Sequence, residues 1–346
     1  MSKAKPFEIL RFDFLVRGSF IQAERRQTAH GAGCTEKRPT SNLRLVTCNA
    51  QRDSIKRDCE RPSAVIGRRS NRQRITVNGQ RTTDNRQLTM DFFAGIDVGS
   101  LSTDCVLINE QEEILSYSIT ETGANSTEAA EKSLEEALAR AAVQRQSIRR
   151  IVATGYGRIS VPFADKKVTE IACHALGACK LFPDTGTVVD IGGQDSKVIR
   201  VGPGGKVLDF TMNDKCAAGT GRFLEVMAAK LKVPLNEMGS LSMEAKGEVR
   251  ISSVCTVFAE SEVISLVAQN HPKEEIIRGI HRAIVNRVWS MVKTLGVKRE
   301  VTMSGGVAKN QGVVAFLEEK LGHPIRVYKE PQIVGGLGAA LHAKGL

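Results

Sequence analysis

Two short turns in the sequence combine aspartate and glycine in the same order. Asp97-Val98-Gly99-Ser100 and Asp190-Ile191-Gly192-Gly193 each follow an aliphatic run and precede another. An aspartate at the end of a strand can hold Mg²⁺, usually through water, because that ion keeps much of its hydration shell. Glycines let backbone N–H groups approach phosphate oxygens closely. A single such turn commonly only closes a hairpin, but two matched copies indicate a site for phosphates and Mg²⁺.

A third turn is built on a pair of glycines. Ser304-Gly305-Gly306 follows the strand-like run "EVTM" and precedes a helical pattern that opens near Lys309. The ring or ribose of a nucleoside can lie flat against such a double glycine, which has no side chains to obstruct it. Together the three turns predict a nucleotide site.

Two cysteines stand before helical patterns. Cys216 lies in "NDKCAAGTGRF" and Cys255 in "SSVCTVFAESEV". Both thiols are therefore predicted at helix N-termini, where the positive end of the helix dipole favours anions. Two readings stay open from the residues alone, namely ligands of a metal cluster and buried core cysteines. Cys105, Cys173 and Cys179 are interpreted as core residues.

A further candidate pair lies in the segment "EIACH". Glu170 and His174 are four residues apart, so they share one face of the predicted helix. They could form half of a metal site, but no further ligands accompany them. We interpret them as a structural pair and assign them no role in function.

These residues lie on elements that alternate between strand-like and helix-like patterns from Met90 onward, which is typical of an α/β fold. The repeat of the Asp-x-Gly turn predicts two related subdomains around a shared cleft. We place subdomain I at about 90–185 together with a C-terminal helix at about 330–346, and subdomain II at about 186–330.

The first quarter of the chain differs from the rest. Residues 1–89 hold 19 Lys and Arg against 8 Asp and Glu, which accounts for the whole net charge of +11. They show no sustained periodicity and little apolar surface, as in a disordered basic extension. We expect translation to begin at Met90, while a basic tail for nucleic acid or another partner and a cleaved targeting segment stay open. The balanced remainder argues against nucleic-acid binding.

Cysteine usage and hydropathy bear on the compartment. The chain has eight cysteines, of which Cys34, Cys48 and Cys59 lie in the basic segment. An odd five in the remainder, without a secretion signal, argues against a disulfide framework. No run approaches the roughly 18 apolar residues of a membrane-spanning helix. We expect a cytoplasmic protein with no membrane partner.

The motifs together resemble the acetate/sugar kinase, Hsp70 and actin superfamily, with "GIDVGSLSTD" and "DIGGQDSK" as phosphate turns and "SGGVAKN" as the adenosine turn. Within it, the chain resembles the activators of 2-hydroxyacyl-CoA dehydratases and the ATPase subunits of benzoyl-CoA reductase, the BadF/BadG-type ATPases. The resemblance covers 90–346 and is most specific around Cys216 and Cys255. It implies a duplicated actin-like (ribonuclease H-like) ATPase fold.

The resemblance also implies a set of site residues. Asp97 and Asp190 would organise Mg²⁺, and Gln194 or Asp195 would position the attacking water. Cys216 and Cys255 would hold one [4Fe–4S] cluster shared by a homodimer, two thiolates from each subunit. The residues expected at ATP are Gly99, Ser100, Ser102, Thr103, Gly192, Gly193, Gly305, Gly306, Asn310 and Gln332.

The function implied is ATP-driven transfer of a low-potential electron from the cluster to a partner CoA-ester dehydratase or reductase. An upstream donor such as ferredoxin or flavodoxin would reduce the cluster. Two alternatives stay open, namely a sugar-type kinase on the same scaffold and a non-enzymatic ATP-dependent scaffold. The acceptor enzyme is not specified by the sequence.

Overall fold

The structure, a computed structural model, describes residues 91–252, 255–298 and 300–346. The predicted basic segment 1–89, with its three cysteines, lies outside the described residues, as does the predicted start at Met90. Within the described part of the chain, no helix is both long and apolar enough to cross a membrane.

The first half is built on a five-stranded mixed sheet in the order β3-β2-β1-β4-β5. Its strands are β1 Phe92–Val98, β2 Ser102–Ile108, β3 Ile114–Glu121, β4 Ile148–Thr154 and β5 Lys166–Lys167. The first two form an antiparallel hairpin, and β1 also pairs in parallel with β4. β1 is buried over six of its seven residues, as expected for a central strand covered on both faces.

The second half repeats this plan in a five-stranded sheet of order β10-β9-β6-β7-β8. Its strands are β6 Thr187–Ile191, β7 Ser196–Val201, β8 Val207–Asn213, β9 Val301–Ser304 and β10 Ile325–Val327. The antiparallel pair β6–β7 matches β1–β2, and β6 pairs in parallel with β9. Both Asp-x-Gly turns thus close equivalent hairpins. The boundary near 185 between the two predicted subdomains stays a prediction.

Eight helices within the described residues cover the sheets. They are α1 Ser126–Ala141, α2 Glu170–Leu181, α3 Gly221–Leu231, α4 Met238–Glu244, α5 Thr256–Ala268, α6 Lys273–Leu295, α7 Gln311–Leu321 and α8 Val334–Lys344. Leu134 of α1 packs on one face of the first sheet, and Leu337 of α8 packs in a separate cluster with Phe93 of β1. In the second half, Ile280 of α6 and Leu317 of α7 pack with the sheet.

α2 and α8 join the two halves at the floor of the cleft. Cys173 of α2 is buried with residues of the first sheet, whereas Ala175 and Ala178 of the same helix are buried with those of the second. α8 approaches α2 so closely that a Cβ at Gly338 would overlap the carbonyl of Cys173. The glycine therefore allows the two helices to pack backbone on backbone.

Replacing Gly338 with Ala is expected to destabilise the protein by about 1–3 kcal/mol, because the added methyl forces α8 away from α2. The free energy of unfolding from denaturant titration measures the effect. Gly345→Ala is the matched control at the end of the same helix, where a Cβ would meet its nearest atoms at 3.6 and 3.7 Å, ordinary contact distances. Equal stability of the two variants would contradict this account of the packing.

Candidate active site

A cavity of about 740 Å³ lies between the two halves, at the ends of the paired hairpins. It receives residues from both Asp-x-Gly turns, from the double-glycine turn and from the loop before α8. The predicted residues that line it are Asp97, Gly99, Ser100, Ser102, Asp190, Gly192, Gly193, Gln194, Asp195, Gly305, Gly306, Asn310 and Gln332. The structure therefore brings together in one cavity turns that are far apart in the sequence.

The two phosphate turns have the same internal hydrogen bond. The Gly99 N–H donates to the carbonyl of Ser102 over 2.9 Å, and the Gly192 N–H donates to the carbonyl of Asp195 over 3.0 Å. This matched geometry follows from the matched sequence, since each glycine stands two residues after an aspartate that is the last residue but one of its strand.

In the first hairpin, two aspartates stand opposite each other. Asp97 of β1 is in register with Asp104 of β2, and both are buried. Among the described residues, neither has a Lys or Arg within ion-pair distance, and Oδ1 of Asp104 has no hydrogen-bond partner. Burial raises the pKa of Asp97, and burial together with the charge of Asp97 raises that of Asp104 well above its usual range. An added cation would stabilise both carboxylates.

In the second hairpin, a lysine takes the place equivalent to Asp104. Lys197 of β7 is in register with Asp190 of β6 and is 3% exposed. Its Nζ lies 2.9 Å from Asp190 Oδ2, 2.9 Å from Asp195 Oδ2 and 3.5 Å from Glu170 Oε2. Burial disfavours the charged forms, but nearby charges outweigh it. The three carboxylates raise the pKa of Lys197, and His174 together with Lys197 lowers the pKa of Asp190. Lys197 therefore stays a cation.

Glu170 and His174 of α2 line the same cavity. The sequence interpretation of a structural pair is corrected here, because each residue pairs with a different partner. Glu170 faces Lys197, and burial raises the pKa of its carboxyl. The His174 ring instead lies between Asp97 and Asp190.

The double-glycine turn completes the cavity on the side of the second half. Gly305 has φ 85°, and a Cβ there would overlap the carbonyl of Ile191, so glycine is required. The Asn310 amide is already occupied, since Oδ1 accepts from the Val313 N–H over 3.1 Å and Nδ2 lies 3.1 Å from His281 Nε2. Asn310 caps α7 and lines the cavity at the same time.

Gln332, in the loop before α8, is bonded to Ser102 of β2. Gln332 Nε2 donates to the Ser102 hydroxyl over 3.2 Å. The next residue, Thr103, is fully buried and its hydroxyl lies 2.9 Å from that of Thr122. Because successive side chains of a strand point to opposite faces, Ser102 lines the cavity whereas Thr103 does not.

The two candidate cluster ligands are free thiols. Cys255 is exposed and is the N-cap residue of α5, as predicted. Cys216 is half-buried but is not at a helix N-terminus, because α3 begins only at Gly221. The prediction was wrong there, since 217–220 form a turn in which the Thr220 N–H donates to the Ala217 carbonyl over 3.1 Å.

The N-terminus of α3 is directed instead at the second phosphate turn. The Gly221 N–H donates to the carbonyl of Gly192, and the Arg222 N–H donates to that of Gly193, each over 2.8 Å. The residues just before Cys216, Asp214 and Lys215, line the cavity as well. The segment that carries Cys216 is therefore attached to the cavity at both of its ends.

Sequence reasoning missed Lys197 and Asp104 as members of the site and gave no function to Glu170 and His174. The available signal for the first two was alternation, since both lie on the strand after a phosphate turn, at the position opposite its aspartate. For the α2 pair, the missing observation was that this helix crosses between the two halves.

Comparison with known proteins decides the family. The profile of the BadF/BadG/BcrA/BcrD ATPase family matches residues 94–343. The chain belongs to this ATPase family. Over 249 residues it is 45% identical to the 2-hydroxyisocaproyl-CoA dehydratase activator of Clostridioides difficile, covering 72% of this chain and 93% of that protein. Over 250 residues it is 46% identical to the (R)-2-hydroxyglutaryl-CoA dehydratase activating ATPase of Acidaminococcus fermentans, covering 72% and 95%.

Solved structures agree with the family. The structure of the activator of the 2-hydroxyisocaproyl-CoA dehydratase from Clostridium difficile with bound ADPNP matches with a TM-score of 0.71 at 44% identity, covering 73% of this chain and 94% of that one. The predicted family, its ATPase activity and the duplicated actin-like α/β fold are thereby confirmed. These two relatives are named as activators of CoA-ester dehydratases.

Proposed function

We propose that this ATPase is an activator that uses ATP hydrolysis to pass a low-potential electron from a [4Fe–4S] cluster, shared by a homodimer, to a CoA-ester dehydratase or reductase. The observation that carries the proposal is a pair of hydrogen bonds at the start of α3, just after the loop that holds Cys216. The N–H groups of Gly221 and Arg222 donate to the carbonyls of the second phosphate turn. Named relatives that activate CoA-ester dehydratases support the partner class.

The cavity suits ATP with Mg²⁺. Its two phosphate turns offer glycine backbone at the ends of both hairpins, and Gly305 and Gly306 offer a flat surface to the nucleoside. Asp97 and Asp190 organise Mg²⁺, and Asp104 adds a carboxylate oxygen that lacks a partner among the described residues. Bound Mg²⁺ neutralises charge on the phosphate oxygens. Ser100 and Ser102 add hydroxyl donors.

Gln194 and Asp195 orient the water that attacks the terminal phosphorus. The new P–O bond forms to this water while the bond to ADP breaks, so the step needs no oxidant or reductant. Asp195 is held by Lys197, and both residues line the cavity beside the second phosphate turn. Lys197 also offers a permanent positive charge near the transferring phosphoryl group.

The thiols fit a cluster that two chains share. A [4Fe–4S] cluster needs four ligands and, when bound, supplies a one-electron carrier of low potential. One chain contributes two of these ligands, the free thiols of Cys216 and Cys255. Two copies of Cys216 and Cys255 give the required four thiolates, and a two-fold axis makes the interface isologous.

The surface beside Cys255 supports a dimer. Val257 and Phe258, in the first turn of α5, are each 68% exposed. Ile264 continues the apolar surface on the same helix at 51% exposure. Exposed apolar residues next to a cluster ligand suit burial against a second copy of the chain.

Both cysteine segments are connected to the nucleotide site. α3 is bonded to the second phosphate turn, and Lys230 of α3 forms an ion pair of 2.7 Å with Glu260 of α5, the helix that begins after Cys255. A change at the phosphate turn on hydrolysis is therefore passed to both ligand segments. To do work, ATP must bind one arrangement of the halves more tightly than another.

The electron enters from a donor such as ferredoxin or flavodoxin and leaves to the acceptor, one at a time. The acceptor class includes the dehydratases named for the relatives and the CoA-ester reductases. We place the protein in the cytoplasm, where thiols stay reduced, and five free cysteines lie among the described residues.

Anaerobically purified full-length protein is expected to be brown and to contain about four iron atoms per dimer. Adding ATP to the reduced protein should change its electron paramagnetic resonance spectrum, because the nucleotide turn is bonded to a ligand segment. A colourless protein that stays iron-free after anaerobic reconstitution would contradict the proposal. Phosphoryl transfer to a sugar would instead identify a kinase, and filaments or peptide-stimulated turnover would identify a scaffold.

A further inference from the structure

The imidazole of His174 is buried at the floor of the cleft, between the carboxylates of the two hairpins. Its Nε2 lies 3.7 Å from Asp97 Oδ2 of the first half. Its Nδ1 lies 3.4 Å from Asp190 Oδ1 and 3.2 Å from the Ser304 hydroxyl, both of the second half. One ring thus faces an aspartate from each side of the cleft.

The hydrogen-bond pattern orients the ring. The Ser304 hydroxyl donates its hydrogen to Asp190 Oδ1 over 2.8 Å. Its oxygen is then left to accept, so the Nδ1 of His174 is the donor in this pair. The contact to the second half is therefore a directional bond, whereas the 3.7 Å approach of Nε2 to Asp97 is longer than a hydrogen bond.

The backbone beside the ring has no room to shift. A Cβ at Gly335, in the first turn of α8, would overlap Oδ2 of Asp97 and would lie 2.9 Å from His174 Nε2. α2 itself packs on both sheets and, through Gly338, directly on α8. Because the ring contacts one aspartate from each half, any change in the angle between the halves must alter its contacts.

We propose that His174 is a positioning residue that holds Asp190 at the separation from Asp97 needed to bind Mg²⁺ with ATP. It acts through the Nδ1 bond to Ser304 and Asp190 and does not itself contact the metal. This role rests on the ATP and Mg²⁺ site proposed above and assigns a purpose to a side chain that the nucleotide motifs do not include.

The test compares the Mg²⁺ dependence of ATP hydrolysis by the full-length protein and its His174 variants. His174→Ala is expected to raise the Mg²⁺ concentration for half-maximal rate about tenfold, as for loss of one hydrogen bond. The rate at saturating Mg²⁺ should change far less. His174→Asn places an amide near the position of Nδ1 and should recover most of the Mg²⁺ affinity. His174→Gln places it near Nε2 and should not.

Cys173→Ala is the matched control, since Cys173 is the neighbouring buried residue of α2 and does not line the cavity. It should leave the Mg²⁺ dependence unchanged. Equal Mg²⁺ dependence of the wild type, Asn and Gln variants would overturn the role of His174 but leave the ATPase proposal standing. If the Asn and Gln variants needed equally raised Mg²⁺ concentrations and were also less thermally stable, the positioning role would be overturned as well. His174 would then act only through its packing in the fold. A wild-type chain that hydrolyses no ATP would overturn both.

Discussion

A chain with Ser in place of Cys255 is expected to lose the iron–sulfur cluster while it still binds ATP. The thiol is exposed at the N-cap of α5, away from the residues that line the nucleotide cavity. A serine hydroxyl is a poor substitute for a thiolate at iron, and in a dimer each substitution removes two of the four ligands. Iron content after anaerobic reconstitution measures the loss of the cluster, and calorimetry measures whether ATP still binds. Cys216→Ser should behave in the same way.

Cys179→Ser provides the matched control. Like Cys216, this thiol is free and half-buried. It lies in α2, however, with its Sγ 3.8 Å from the carbonyl of Thr185, which follows that helix. Its replacement should leave the iron content at the wild-type level. Full iron in either the Cys216 or the Cys255 variant would refute the ligand assignment. Loss of ATP binding together with iron would show that these residues support the fold instead.

Replacing Lys197 with Met is expected to destabilise the protein by about 3–5 kcal/mol, because it leaves buried carboxylates without their cation. Asp190 and Lys197 are 2% and 3% exposed, so water cannot replace the lost partner. The ion pairs to Asp195 and Glu170 are lost at the same time. The free energy of unfolding from denaturant titration measures the effect. The rate of ATP hydrolysis should also be lower than in the wild type, even at temperatures where the variant stays folded.

Lys180→Met is the control that removes the same charge from an exposed ion pair instead of a buried one. Lys180 also pairs with a carboxylate, Glu112, over 2.7 Å, but its side chain is 36% exposed. Its loss should cost about 0–1 kcal/mol. The double variant Lys197→Met with Asp190→Asn should recover part of the stability, since it removes one of the uncompensated charges. A Lys197→Met variant as stable as Lys180→Met would show that the buried cluster is not held by the lysine.

The phosphate turns could be found from sequence because their chemistry is local. Asp97 and Gly99, and again Asp190 and Gly192, lie two residues apart, and each turn is closed by its own hydrogen bond. Lys197 could not be found in this way. It lies seven residues beyond Asp190, on the next strand, and becomes part of the site only through the register of β6 with β7.

Helix starts were predicted less well, because side-chain caps and turns compete for the same residues. At α1 a side chain makes the cap: Asn125 accepts from the N–H groups of Thr127 and Glu128. At α3, Gly219 has φ 89° and delays the helix beyond Cys216. The error at α3 moved the start of the helix by a few residues and changed which group its N-terminus faces.

The two hydrogen bonds from α3 to the second phosphate turn have an electronic consequence. In a trans peptide, the carbonyl of one residue and the N–H of the next point in opposite directions. Since the carbonyls of Gly192 and Gly193 point toward α3, the N–H groups of Gly193 and Gln194 point away from it, and neither donates to another described residue. Hydrogen bonds on the two sides of a peptide group polarise and strengthen each other. An anion that accepts from these two N–H groups therefore tightens the hold of the turn on α3, and its departure loosens that hold without any side chain moving.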